Sequence, residues 1–499
     1  MLKTAPIFTD HCVLQREKPV RIWGTCSDEN TLITVTLDNY SASAKVVNQK
    51  WSVTLPPMSA GGAYELRISN QNEELVLSDI MIGEVWLCGG QSNMEMALIN
   101  SDNPEPALQT CQDSNVRLYH VCKHGHFDDA FYQEEADSCW QLPERDNCAN
   151  WTAVGYHFGQ MLAKKLSVTV GLVECHYGGT SASAWISREM LESTEVGRAY
   201  LKDYANGMAG LTDDEANRAY LDYCDYHEQW QKKYNECLQK DPSLSWDEAI
   251  RICGENRYPG PPAPINPLRP HGLYDTMIAR ITPYTLRGVL YYQGESDDHR
   301  PEGYELLLSC LIHQWRTDFQ DQTLPFLLVQ LPMFGYEDTK NNTNWSIIRK
   351  AQERVFRNIK NTGLAVILEC GEFNEIHPKE KRIPAERLYL QALHHVYDLQ
   401  DNNANAPIFK SAYQEHDGVR VNFDFVENGL DLRKQAGFEL RDDAGTWHPA
   451  NAELSENSLL IKNPELPCPT GVRYAWYNYG DVTLFEKNGL PVSPFEEFV

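Results

Sequence analysis

Apolar and polar residues alternate along the first 80 positions of the chain. Leu32-Ile33-Thr34-Val35-Thr36-Leu37 and Trp51-Ser52-Val53-Thr54-Leu55 repeat every two residues, the period at which a strand turns one face inward. Turn-forming clusters divide these runs: Ser27-Asp28-Glu29-Asn30, Pro56-Pro57 and Gly61-Gly62. The pattern predicts an N-terminal β-sandwich domain over 1–80. Past residue 80, short unbroken apolar runs at 81–88, 168–175, 287–292, 325–331 and 364–368 alternate with stretches of helical period at 153–166, 306–319, 347–359 and 385–399. Strands buried on both faces and joined by helices predict an α/β domain with a parallel sheet, spanning 81–405. A charged, helix-prone segment near 212–256 breaks this rhythm and predicts a helical insertion. It reads as a solvated surface element, with the substrate entrance or a subunit contact as alternatives. The following Pro259-Gly260-Pro261-Pro262-Ala263-Pro264 is neither helix nor central strand. Period two returns in Val419-Arg420-Val421-Asn422-Phe423, so a second β domain is expected over 406–499.

In an open parallel sheet, ligands bind beyond the carboxyl ends of the strands. Four apolar runs lead into clusters of small and polar residues. They are Gly89-Gly90-Gln91-Ser92-Asn93-Met94, His176-Tyr177-Gly178-Gly179-Thr180-Ser181, Gln293-Gly294-Glu295-Ser296-Asp297 and Glu372-Phe373-Asn374-Glu375-Ile376-His377-Pro378. A common rim would gather all four. Ser92, after two glycines, suits a tight strand-to-helix turn that presents a hydroxyl beside free backbone N–H groups; such a serine is otherwise a plain N-cap. Gly178-Gly179 allows a second backbone N–H to approach the same oxygen. The Gln293 amide can donate to an oxyanion, which an ionised Glu295 cannot; Glu295 fits orientation of neighbours or capture of substrate hydroxyls. His377 has the titration range of a general base, and Pro378 suits the start of a following helix.

Composition narrows the partners. The formal net charge of −26 over 499 residues excludes a nucleic-acid partner and docking on anionic lipid. Fourteen cysteines without a CxxC pair read as scattered thiols of a reducing compartment. The N-terminus has no apolar core of signal-peptide length and no window reaches a membrane span, so a soluble cytoplasmic protein is expected; a chain already stripped of its leader would look the same. No Walker A loop or dinucleotide fingerprint is present, and no cofactor is expected. His120, His124 and His126 lie close together, but no familiar ligand spacing accompanies them, and no metal is expected. Trp185, Tyr292 and Trp86 are candidates for stacking on a sugar, although aromatics flanking sheet ends are more often core.

The block Ile82-Gly83-Glu84-Val85-Trp86-Leu87-Cys88-Gly89-Gly90-Gln91-Ser92-Asn93-Met94-Glu95-Met96 resembles the signature of the sialate O-acetylesterase family, within the SGNH hydrolases. Further blocks match in order: Val13-Leu14-Gln15-Arg16-Glu17-Lys18-Pro19-Val20, Gly178-Gly179-Thr180-Ser181-Ala182 with Trp185, Gly272-Leu273-Tyr274-Asp275, Tyr291-Tyr292-Gln293-Gly294-Glu295-Ser296, Ile376-His377-Pro378-Lys379 and Arg473-Tyr474-Ala475-Trp476. The resemblance spans nearly the whole chain except the insertion. It implies a flavodoxin-like α/β/α three-layer catalytic domain between the two β domains, and an esterase acting on a small O-acetylated sugar or oligosaccharide. It implies Ser92 as nucleophile, His377 as base, and an oxyanion hole of the Ser92 and Gly179 N–H groups with Gln293. Members of the superfamily usually carry Asp three positions before the histidine. Here that position holds Asn374, so Glu375 or Glu372 is the expected carboxylate, Glu375 by choice, with a Ser–His dyad as the alternative. Gln91 is a further candidate for contacting or orienting substrate. Acetylated hemicellulose oligosaccharides rival sialic acids as substrate, an inactive carbohydrate-binding scaffold is the alternative outside catalysis, and a homo-oligomer stays open.

Overall fold

The computed structural model describes residues 1–499 except 242, 243, 245, 400–403, 417 and 456. Three of these fall inside the insertion expected near 212–256, and that part of the expectation lies outside the described residues. The protein is a mixed α/β structure organised by one large sheet.

The sheet's central strand is β1 (Glu74–Gly90). Its first half alternates between exposed and half-buried positions, and pairs with the N-terminal strands Gly61–Ser69 and Val13–Gln15. Its second half is buried at every position. The boundary expected at residue 80 therefore falls inside a continuous strand. The period-two pattern ends there because the strand passes from a half-solvated sheet into one covered on both faces. Beside β1 stand β2 (Val116–His120), β3 (Trp140–Gln141), β4 (Val170–His176), β5 (Gly288–Tyr292), β6 (Phe326–Gln330) and β7 (Thr362–Val366). The order is β3-β2-β4-β1-β5-β6-β7, parallel except for β3. All five apolar runs predicted as strands contain one, with ends displaced by a few residues.

Chain order reverses direction at β1. The chain first builds outward on one side and then on the other, so the carboxyl end of β1 is a switch point. Gly90 there pairs with His176 on one flank and Tyr292 on the other. Its φ is +130°, and a Cβ would lie 2.0 Å from the Tyr292 carbonyl oxygen. Only glycine fits this crossing.

Helices cover the strands in two packed pairs. The first pair is α2 (Ala153–Leu166) with α7 (Arg382–His395); the second is α5 (Tyr304–Asp318) with α6 (Asn344–Asn358). Thr152 caps α2 by accepting from the Gly155 N–H, and Val154, Phe158 and Leu162 form its buried stripe. Ser167 ends it in the left-handed conformation. The short helix α1 (Ser92–Glu95) follows β1 directly. The insertion contains α3 (Asp213–Lys240) and α4 (Trp246–Cys253). A capping box of Thr212 and Glu215 starts α3. Residues after 407 form antiparallel sheets, among them Ile408–Glu415, Gly418–Asp424, Ser458–Lys462 and Asn451–Ser455. Arg349 ties this region to the large sheet: its buried guanidinium donates to the carbonyls of Leu331, Pro332, Tyr477 and Asn478.

Candidate active site

The four clusters at the strand ends meet. Ser92 opens α1 just beyond Gly90, and the Nε2 of His377 lies 2.8 Å from its Oγ. Two side chains 285 positions apart are thus within hydrogen-bonding reach, the distance a serine and its base require. Gly178 lies alongside: a Cβ there would be 3.5 Å from the Ser92 Cβ. Gly179 adopts φ +73°, the left-handed region that favours glycine.

The carboxylate expected behind the histidine is placed differently. Glu375 Oε1 lies 3.7 Å from His377 Nδ1, beyond a hydrogen bond, and instead accepts from the His377 backbone N–H at 2.7 Å. Glu372 accepts weakly from the Lys379 N–H at 3.4 Å. Asn374 sits at φ +62° with its N–H on the Gly335 carbonyl, and its side chain borders the cavity. Glu375 thus holds the loop rather than the imidazole. Glu375→Gln is expected to lower kcat by less than ~30-fold, far short of the ~10⁴ that a hydrogen-bonded triad aspartate supplies. Steady-state hydrolysis of 4-nitrophenyl acetate distinguishes the two.

Sequence reasoning gave no role to Asn93 and Lys381, which fix the loop from below. Fully buried Asn93 donates from Nδ2 to the Ile376 carbonyl (3.0 Å) and to Glu295 Oε1 (2.6 Å), and its Oδ1 accepts from the buried Lys381 ammonium at 2.7 Å. One amide therefore links the neighbour of Ser92 to the neighbour of His377. The only hint was adjacency, since Asn93 follows Ser92 and Lys381 stands four residues after His377.

Burial sets the electrostatics. Desolvation is the main cause that lowers the His377 pKa to about 4; the Lys381 charge adds to it and Glu95 opposes it. Burial likewise lowers Lys381 to about 8, against the pull of Glu295, and raises Glu295. A base works in its neutral form, so a depressed pKa extends activity toward acid. The acid limb of kcat/KM for 4-nitrophenyl acetate is expected near pH 4. A midpoint near the ~6.5 of an unperturbed histidine would show that solvent reaching this half-buried ring offsets the desolvation.

The donor role expected for Gln293 needs correction. Its amide is 1% exposed and donates to Asp297 Oδ2 at 2.6 Å and to the Thr180 carbonyl at 3.1 Å, while its Oε1 accepts from Tyr304. The carboxylate four residues on has captured it. Asp297 also accepts from Ser181 Oγ, the Ala182 N–H and Tyr200, so it braces the loop after Gly179. Gln91 does border the cavity; its Oε1 accepts from the Gly294 and Ser296 N–H groups and its Nε2 donates to Ser296 Oγ. Trp185 needs correction as well. It is fully buried, with its indole N–H on Thr180 Oγ1 at 2.9 Å, and belongs to the core with Trp86 and Tyr292. Among the described residues, no group of three or more His, Cys, Asp or Glu is arranged to hold a metal ion; His120 pairs with Glu174 at 2.5 Å.

Ser92 and His377 open into a cavity of about 1160 Å³. The insertion forms one wall through His227, Trp230, Tyr234 and Leu238 of α3, so it is no mere solvated surface.

The description "carbohydrate esterase, sialic acid-specific acetylesterase" belongs to the family model that matches residues 82–210 and 265–377. Over these two segments the chain resembles that family. The unmatched stretch between the two segments is the insertion. Mouse sialate O-acetylesterase is 28% identical over 98% of this chain and 93% of its own length; the human protein is 26% identical over 99% and 92%. The crystal structure of a novel carbohydrate acetylesterase from Xanthomonas citri superposes with a TM-score of 0.77 at 28% identity, covering 99% of both chains. The protein is a carboxylic ester hydrolase.

Proposed function

We propose that this acetylesterase is serine-dependent and works through an acetyl-enzyme. His377 takes the proton of Ser92, whose Oγ attacks the acetyl carbonyl. The N–H groups of Ser92 and Gly179 hold the oxyanion. The protonated His377 then returns its proton to the departing sugar oxygen. A water, deprotonated by the same ring, attacks the acetyl carbon and releases acetate and free Ser92. The single observation that carries this is the 2.8 Å approach of His377 Nε2 to Ser92 Oγ. The parallel strand order and two helix pairs support the SGNH three-layer arrangement, with the outer antiparallel strands as flanking β domains.

The relatives' names point to O-acetylated sialic acids. A second reading, neutral acetylated hemicellulose oligosaccharides, is favoured by the cavity walls. Asp203, Asp298, Glu295 and Glu375 border it, against Arg269. That guanidinium is engaged with the Pro264 and Gly125 carbonyls and with His271. Such a lining suits a neutral sugar better than a carboxylated one. Acetate release from O-acetylated sialic acids and from manno-, xylo- and xyloglucan-oligosaccharides, with Ser92→Ala as blank, tests both. Cleavage of acyl thioesters with no sugar acetate consumed would defeat the carbohydrate reading.

A further inference from the structure

The segment outside the family match, 211–264, reaches the reacting centre through one hydroxyl. Tyr258 donates from its Oη to the Gly179 carbonyl at 2.7 Å. The same hydroxyl meets Ser296, whose Oγ accepts from Gln91 Nε2 at 3.3 Å. Two strand-end loops, those of Gly179 and Ser296, therefore converge on a side chain that neither carries, and Gln91 joins the second of them. The contact is close: a Cβ on Gly179 would lie 1.9 Å from the tyrosine oxygen. Tyr258 is itself tied to the insertion. Its N–H donates to Asn256 Oδ1, and nearby Glu255 and Gly254 carbonyls accept from Tyr226 Oη and Trp230 Nε1 of α3.

The Gly179 loop needs such a tether. Two consecutive glycines leave the backbone more freedom than any other pair. An oxyanion donor is effective only when it is already aimed at the place where charge develops. Asp297 braces the far side of the loop at Ser181 and Ala182; Tyr258 holds the glycine itself.

We infer that Tyr258 is a positioning residue by which the helical insertion completes the oxyanion hole, its hydroxyl pinning Gly179 by the carbonyl and so fixing the adjoining 178–179 peptide, whose N–H is the donor, in register with Ser92. The inference rests on the serine-esterase reading above. The insertion then has two roles: its helix α3 walls the cavity, and Tyr258 preorganises the donor loop. A chain with the insertion undocked would bind acyl groups yet turn them over slowly.

Tyr258→Phe keeps the ring and removes the hydroxyl. Loss of aim should cost part of what loss of a whole oxyanion donor costs, which is about 10²–10³ in kcat. The expected result is therefore a kcat lower by about 10- to 100-fold on 4-nitrophenyl acetate and on a sugar acetate alike, with KM within threefold. The rate of inactivation by a 4-nitrophenyl dialkyl phosphate, which uses the same oxyanion donors without substrate turnover, should fall by the same factor. Backbone hydrogen exchange at 178–182 should rise. Should the phenylalanine variant fold poorly, Ser296→Ala removes the other partner of the hydroxyl and is expected to slow inactivation in the same direction. A kcat within twofold of wild type in Tyr258→Phe, or a change in KM alone, overturns the inference. If Ser92→Ala is inert in that case, only this inference fails. If Ser92→Ala still turns over, the serine-esterase reading fails with it.

Discussion

Ser92→Ala is expected to lower kcat for 4-nitrophenyl acetate by about 10⁶-fold, the scale on which a serine hydrolase loses rate when the nucleophile alone is removed. The substitution deletes one oxygen and nothing that supports the fold. Ser92 begins a four-residue helix, and its backbone role there, accepting from the Met96 N–H, survives in alanine. The melting temperature should therefore stay close to that of wild type, which separates lost chemistry from lost structure. Residual hydrolysis above the rate in water is expected, because the backbone donors around the acyl group remain. Trapping the acetyl group by peptide mass spectrometry should find it on the peptide containing Ser92 in wild type. Turnover within tenfold of wild type in the alanine variant would sink the proposal.

His377→Gln comes second, with an expected loss in kcat of about 10⁴ to 10⁶. Glutamine approximates the imidazole's reach but cannot take a proton near neutral pH. The ring is held by its neighbours rather than by a carboxylate, so removing it should leave the loop in place. The Asn93 bond to the Ile376 carbonyl and the Lys381 bond to Asn93 do not involve the side chain of residue 377. Because nucleophile and base act as a unit, the double variant should be no slower than either single one by more than a few-fold. Additive losses, multiplying to about 10¹⁰ or beyond the limit of detection against the single variants, would mean that Ser92 and His377 do not share one step.

The two expectations rest on features of unequal legibility. Strands and helices of the large sheet were readable because each must bury its own apolar face, and burial writes a period into the local sequence. Helix α2 was read to its observed ends, since a threonine cap and three apolar residues at helical spacing are all local. The edge strand β3 was not foreseen: two residues, Trp140 and Gln141, are too few to carry a period. Within the site, Ser92, Gly179 and His377 were named from the strand-end clusters and the family resemblance together, and the structure brings Ser92 and His377 within 2.8 Å. Gln293 was misread although its partner stands only four residues further on. Its amide could face an oxyanion or a carboxylate, and only the buried position of Asp297 decided between them. Glu375 shows the same limit. Its place two residues before the histidine let it be named, but whether it meets the ring or the backbone depends on how the loop bends at Asn374.

The amino-acid sequence by itself determined the succession of elements, the crossing that only Gly90 allows, the strand-end clusters that carry Ser92 and His377, and the resemblance to an esterase family. Those are properties of neighbours along the chain, where steric and hydrophobic constraints act over a few residues. The tertiary structure alone decided which polar group each side chain meets: Asn93 with Lys381 and Ile376, Gln293 with Asp297, Tyr258 with Gly179. A hydrogen bond is made or lost within a few tenths of an ångström, and partners from four to almost 300 positions apart reach that tolerance only when the whole core has packed.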